Sequence, residues 1–321
     1  MVPTPAVLFL WAAAACATAE STDSVVDDSA DAGALPDPAT VPLAGECDLA
    51  DDRGGVEVVE DGESTWIDGK VADAVVPTSV LEPLVTEGGC TLWRRNNPFC
   101  DPACNPGTTC TFEGTCVDYP LNQDLGTVQV RGLASDVELT PIFPGNTYSD
   151  TTLAHPSIVA GATVELAMPG GVYGPATLYG VGIEPLTPLD AGWTVAEGVA
   201  LAVSWAPPEA ATVRSEVVLS LSVDQHGITP GAVRCVFADT GSAEVPAPVV
   251  SALVSAGVTG FPSGALERRT ADHAAAGEGC MDLQVRSPRA VEVDVAGHTP
   301  CVTDKDCPDG QDCDEELQTC R

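Results

Sequence analysis

Lysine is nearly missing from this chain: Lys70 and Lys305 are the only two in 321 residues, against eleven arginines. Aromatic residues are scarce at 5%, and there are four histidines, His155, His226, His273 and His298. No G-x-S-x-G, H-E-x-x-H or phosphate-loop pattern occurs, so no motif with a built-in mechanism points to a hydrolase, metalloprotease or nucleotide site. No C-x-x-C occurs either, which removes the usual redox dithiol. The only long apolar run, from Ala6 to Ala15, has the length of a signal-peptide core and is too short for a spanning helix. Positive charge is outnumbered: 13 Lys and Arg face 47 Asp and Glu, giving a formal net charge of −34. Such a surface repels nucleic acid and anionic headgroups and favours cationic partners.

Cysteine, by contrast, is abundant, with 13 residues. The first, Cys16, follows "AAA" in a lipobox-like setting; "ATA" before Glu20 offers an ordinary cleavage site instead. Either cleavage leaves twelve cysteines, an even set for disulfides in an oxidising compartment. Lipidation of Cys16 is the preferred expectation, with an outer-membrane or cell-surface lipoprotein as the product and plain secretion as the alternative. Residues 1–16 are then the signal segment. Residues 17–45, small, acidic and free of aromatics, are expected to be a disordered tether.

Residues 46–120 are expected to form a first cysteine-rich module and residues 297–321 a second. "CNPGTTC" (Cys104 to Cys110) and "CPDGQDC" (Cys307 to Cys313) share C-x-x-G-x-x-C, and both units continue to a Thr-Cys pair, at Cys116 and Cys320. Segments this small rely on cross-links rather than a core. Spacing leaves connectivity open. The pairing adopted is Cys47–Cys90, Cys100–Cys110 and Cys104–Cys116 in the first module, Cys301–Cys313 and Cys307–Cys320 in the second, and Cys235–Cys280 between them. Zinc is disfavoured because only Cys100 and Cys104 have ligand-pair spacing. No cofactor is expected. Calcium is the metal alternative. The tail fails the EF-hand register, since Lys305 and Cys307 fall on ligand positions, which leaves a looser loop of Asp304, Asp306, Asp309 and Asp312.

Residues 121–296 carry nine short β-branched runs between Gly and Pro turns, which predicts an antiparallel β-sandwich. In "EVVLSLSVD" Val217, Leu219, Leu221 and Val223 share one face. "VPAPVVSALVSAG" predicts the one good helix, with Gly257 to end it. "TSVLEPLV" suggests a helical turn capped by Thr78, and Trp205 is expected to pack in the core. A polar rim is the candidate functional site: Asp224 and His226 at one strand end, Asp239 and Ser242 after the next strand, with Arg268, Arg269 and His273 nearby. A Ser-His-Asp hydrolase on this rim is the alternative to a non-catalytic binding or structural protein.

"CTLWRRNNPFCDPACNPGTTC", "VDQHGITPGAVRCVFADTGSAEVPAPVV", "GFPSGALERRT" and the "CVTDKDCPDGQDC" tail together resemble a group of secreted, cysteine-rich lipoproteins of myxobacteria, over most of residues 46–321. The tail alone is similar to dickkopf-like cysteine-rich repeats. The resemblance implies location and architecture, and no activity. An extracellular ligand or envelope component is the expected partner. The membrane is reached only through the N-terminal lipid.

Overall fold

The computed structural model describes residues 33–75, 81–95, 98–111, 113–209, 214–224, 231–255 and 260–321. Cys16, Thr78, His226 and Gly257 lie outside the described residues.

Among those residues twenty strands follow along the chain. The first six are β1 (Asp52–Glu60), β2 (Thr65–Val71), β3 (Leu81–Glu87), β4 (Cys90–Arg95), β5 (Thr108–Cys110) and β6 (Cys116–Asp118). Then come β7 (Val128–Arg131), β8 (Val137–Leu139), β9 (Tyr148–Asp150), β10 (Thr163–Met168), β11 (Ala176–Val181), β12 (Gly192–Val195) and β13 (Leu201–Ser204). They are followed by β14 (Glu216–Asp224), β15 (Gly231–Ala238), β16 (Ser242–Val245), the helix α1 (Ala247–Ser255), and the long strands β17 (Phe261–Ala276) and β18 (Gly279–Val295). The tail contributes β19 (Cys313–Asp314) and β20 (Thr319–Cys320).

The fold is mainly β, as expected, with a large mixed sheet and one short helix. The sheet runs β3-β4-β15-β14-β17-β18-β1-β2-β9, and β12 also pairs with β18. The β17–β18 hairpin is its spine. At about 3.4 Å per residue each strand spans roughly 50 Å, enough to serve two cores. One core packs the sheet β11-β10-β7-β8 over one half, burying Val56 and Val58 of β1, Val164 and Leu166 of β10, and Leu283 and Val285 of β18. The other covers the second half with β12, the β13–β16 pair and α1, around Trp205, Leu219, Val249 and Val293. Trp205 is fully buried. Val217, Leu219, Leu221 and Val223 all face this core.

Several expectations are corrected. The sheet is not wholly antiparallel: β1 and β12 both run parallel to β18, along different stretches of the same edge. "TSVLEPLV" is no helical turn where it is described, because residues 81–87 form an edge strand. Its register shifts between Pro83 and Val85, a bulge that accommodates a proline lacking an amide donor. Residues 46–120 are not a separate module. β1 and β2 join one flank of the sheet and β3 and β4 the other, and residues 35–321 form one compact unit.

That split explains the disulfides. Cys47 pairs with Cys280 and Cys90 with Cys235, in place of Cys47–Cys90 and Cys235–Cys280. Five strand spacings separate β1 from β4, roughly 24 Å, so a bridge between their neighbourhoods is out of reach. Cys90 stands directly opposite Cys235 across β4 and β15. The small modules are paired as expected, Cys100–Cys110, Cys104–Cys116, Cys301–Cys313 and Cys307–Cys320. Each folds as a small hairpin, β5–β6 and β19–β20.

Residues 35–45, expected within the tether, are docked. Pro36 accepts from Thr163 Oγ1 at 2.7 Å, Val41 is buried and accepts from Arg214 Nη1 at 2.8 Å, and the Gly45 amide donates to Ala271 at 3.1 Å. Their carbonyls and amides are satisfied by the sheet, which offsets the entropy of ordering a small, polar segment.

Candidate functional site: an acidic pocket and an adjoining groove

The expected rim does not assemble. β14 and β15 are antiparallel, with Glu216 opposite Ala238 and Ser222 opposite Ala232. Asp224 therefore ends β14 at one edge of the hairpin, while Asp239 follows β15 at the other, roughly 25 Å away. Asp239 is a structural anion. It takes Nε of Arg268 at 2.6 Å and Nη2 at 3.1 Å, Nε1 of Trp205 at 2.7 Å and Oγ of Ser215 at 2.5 Å. The remaining Arg268 donors meet carbonyls of Glu184, Pro185 and Ala206. Both side chains are buried, and every strong donor is matched. Ser242 sits in β16 opposite Ser204.

Arg269 and His273 hold the N-terminal strap. Arg269 pairs with Glu46 at 3.0 Å and Glu216 at 2.8 Å, Arg234 also pairs with Glu46, and His273 Nδ1 donates to the Gly45 carbonyl at 3.0 Å. Burial raises the Glu46 pKa, but Arg269 and then Arg234 outweigh it, so this carboxyl ionises more readily than an ordinary glutamate. In the tail, Asp306 accepts the Val302 and Thr303 amides, and Asp304 accepts the Cys313 amide. Both carboxylates cap turns of the tail. Among the described residues no three carboxylates bring oxygens within 4.8 Å of one another; the two close groups are cysteines already in disulfides.

A different site was not anticipated. On the face of the sheet away from the β10 layer, β1, β2 and β18 enclose a cavity of about 310 Å³ walled by Asp52, Glu57, Asp68 and Asp282, with Lys70 and Gln284. Its floor depends on two glycines. Gly54 has φ +101°, and a Cβ there would stand 2.3 Å from the Lys70 carbonyl oxygen; at Gly55 a Cβ would meet the Asp282 carbonyl at 2.1 Å. Register shifts between Asp52 and Gly55, a bulge that turns Asp52 toward the cavity lining, where it accepts the Gly54 amide at 2.7 Å. Above Asp282 passes the strap: the Cys47 amide donates to Oδ1 at 3.0 Å, and the Cys47–Cys280 disulfide fixes it there.

The electrostatics are unbalanced. Burial, then the Asp52 charge, pushes Asp282 up to about 7, against the pull of the Cys47 amide. Burial also raises Asp52, and it raises Glu57 despite the Arg286 guanidinium 2.6 Å away.

Beside it lies a larger groove of about 780 Å³ that shares Asp52, Gly54 and Lys70 with the pocket. One wall is the 119–122 segment, bound through Asp73, which accepts the Leu121 amide at 2.9 Å and donates its own amide to the Leu121 carbonyl at 3.0 Å. The other is the 143–146 turn. Asn122 Nδ2 reaches the Gly145 carbonyl at 2.9 Å, Asn146 Nδ2 reaches the Asn122 carbonyl at 3.0 Å, and Asn146 takes the left-handed φ of +46° that asparagine tolerates. Tyr119, Leu121 and Phe143 stand 47%, 66% and 87% exposed along this region.

Asp282 carries a pH prediction. Its folded pKa lies above the unfolded value of 3.8, so the folded state holds the proton longer. Stability therefore falls as pH rises from about 4 through about 7, and the loss is complete above that range. Asp282→Asn keeps the acceptor for the Cys47 amide and removes the charge. The variant is expected to match wild type near pH 4 and to be more stable above pH 7, by on the order of 1–3 kcal/mol in denaturant titrations. Parallel pH curves for the two proteins would refute it.

No family model matches this chain, and no curated protein does. A crystal structure of chicken CNTN1 FN1-FN3 domains aligns at 9% identity and a TM-score of 0.20, over 74% of this chain and 98% of that one. Overlap that slight bears on neither fold nor function. Among the described residues no helix is long and apolar enough to cross a membrane. Six disulfides are the mark of a protein that matures in an oxidising compartment.

Proposed function

We propose that this chain is a non-catalytic binding protein of an extracytoplasmic compartment, and that the pocket and groove are its binding site. The observation that carries it is the continuous concavity on the outer face of the β1-β2-β18 sheet. Its walls are fixed by a disulfide and by backbone hydrogen bonds, while its apolar side chains are left in solvent. A rigid frame with unpartnered apolar side chains beside polar groups is the usual form of a recognition site. The test compares the full oxidised chain with Leu121→Asp, each immobilised and exposed to envelope and culture-fluid fractions. Wild type should retain a component that the variant loses. Equal retention by both, or none by either, would contradict the assignment.

Attachment through a lipid on Cys16 completes the proposal, supported by the lipobox-like "AAAC" that ends on it. Cys16→Ser should move the protein from the membrane to the soluble fraction; a variant that stays with membranes would rule out the anchor.

A further inference from the structure

We propose that the cleft takes a cationic peptide segment, with a lysine or arginine side chain in the acidic pocket and neighbouring apolar or aromatic side chains along the groove. The inference rests on the cleft being the binding site and adds the chemical class of its occupant.

Charge complementarity selects the class. Four carboxylates, Asp52, Glu57, Asp68 and Asp282, line the pocket against one lining cation, Lys70. Among the described residues only Glu57 of these four has a guanidinium partner, Arg286. An anionic ligand would meet both this pocket and the field of a chain carrying −34. A second copy of the chain would bring the same charge to the interface, so self-association is opposed on the same ground.

Geometry separates a side chain from a bare ion. A divalent cation needs several oxygens converging within its coordination distance. The described carboxylates do not converge in that way; they are spread around a cavity of about 310 Å³. That arrangement suits a charge delivered on an apolar stem, whose methylenes stay against the glycine floor of Gly54 and Gly55. The groove then continues the contact. It begins at the shared Asp52, Gly54 and Lys70 and ends at Tyr119 and Leu121, a tyrosine ring and an aliphatic side chain for the residues flanking the cation.

Stability points the same way. Burial and like charge raise Asp52 and Glu57 and push Asp282 up to about 7, so the ionised pocket opposes folding at neutral pH. A guest cation relieves that opposition, and groups kept against stability are characteristic of binding sites.

The test is a fluorescence-anisotropy titration of the full oxidised chain at about pH 8 and about 0.15 M salt, where surface charges are screened beyond roughly 8 Å. The probes are a labelled hexapeptide alternating lysine with phenylalanine, leucine and tyrosine, and a matched peptide with serine for lysine. The lysine peptide should bind at least tenfold more tightly than the serine peptide. Asp52→Asn/Asp282→Asn should weaken the lysine peptide about tenfold or more, an effect of about 1.4 kcal/mol or more. That variant alters only two of 47 acidic residues, so attraction to the overall field hardly changes. Unchanged affinity in the variant, or no binding of the lysine peptide, overturns the proposal. Equal binding of both peptides, lost in Leu121→Asp, overturns the cationic class while leaving the cleft as a binding site. Loss of both peptides' discrimination together with insensitivity to Leu121→Asp overturns the site itself.

Discussion

Asp239→Ala is expected to lose about 3–5 kcal/mol of folding stability, the range for breaking a buried ion pair by removing one partner. The deletion leaves the Arg268 guanidinium 1% exposed without its counter-ion. It also strips the acceptor from the Trp205 indole, itself fully buried, and from the Ser215 hydroxyl. Arg268 sits in β17, the spine, and its other donors tie down Ala206 and the 184–185 segment, so the loss reaches three separate stretches of chain. Urea titration of the purified variant measures it. Were Asp239 instead part of a solvent-facing catalytic rim, its removal would leave stability unchanged or raise it.

Removing the Cys90–Cys235 bridge should have an effect of the same order. It closes a sequence separation of 145 residues, whereas Cys307–Cys320 closes 13. Chain-entropy reasoning gives about 5 kcal/mol for the long loop and about 3 kcal/mol for the short one. The consequences also differ in place. Cys90 and Cys235 lie in the main core across β4 and β15, so the double alanine variant lowers the melting transition of the whole body. The tail bridge lies in a hairpin of its own, anchored to the body through His298, which contacts Thr319 Oγ1 at 2.8 Å and the Gly260 carbonyl at 2.7 Å. Its removal should loosen residues 301–320 and leave the main transition in place. Differential scanning calorimetry of the two variants distinguishes these outcomes, and equal shifts in the main transition would contradict the shared-sheet account.

The strands that were legible from sequence are those with clean alternation. "EVVLSLSVD" and "TVELAM" declare their buried faces, and the two C-x-x-G-x-x-C units mark the two small modules, though their spacing leaves the pairings open. β17 was not legible. "FPSGALERRTADHAAA" puts Arg268, Asp272 and His273 inside a strand, because each is satisfied by a partner from elsewhere in the chain: Asp239, the Ala44 and Tyr179 amides, and the Gly45 carbonyl. Local composition therefore shows no alternation that marks a strand. The same long-range satisfaction made 35–45 look unable to order. The parting of β1–β2 from β3–β4 is a matter of topology, invisible to spacing, and it misdirected two disulfides. The rim failed for a simpler reason: in an antiparallel hairpin the ends of successive strands lie at opposite edges. The pocket had one readable signal, the paired glycines in "DRGGVEV", which mark a bulge or a close backbone approach.

Hydrogen–deuterium exchange of the full oxidised chain with and without the lysine hexapeptide tests the binding cleft most directly. Protection confined to residues 52–57, 66–71, 119–122 and 143–146, and absent from the serine peptide and from Asp52→Asn/Asp282→Asn, is the predicted footprint. Protection centred on the acidic tail at 304–316, or spread evenly over the surface, would show that charge alone attracts the peptide and that the cleft is not its site.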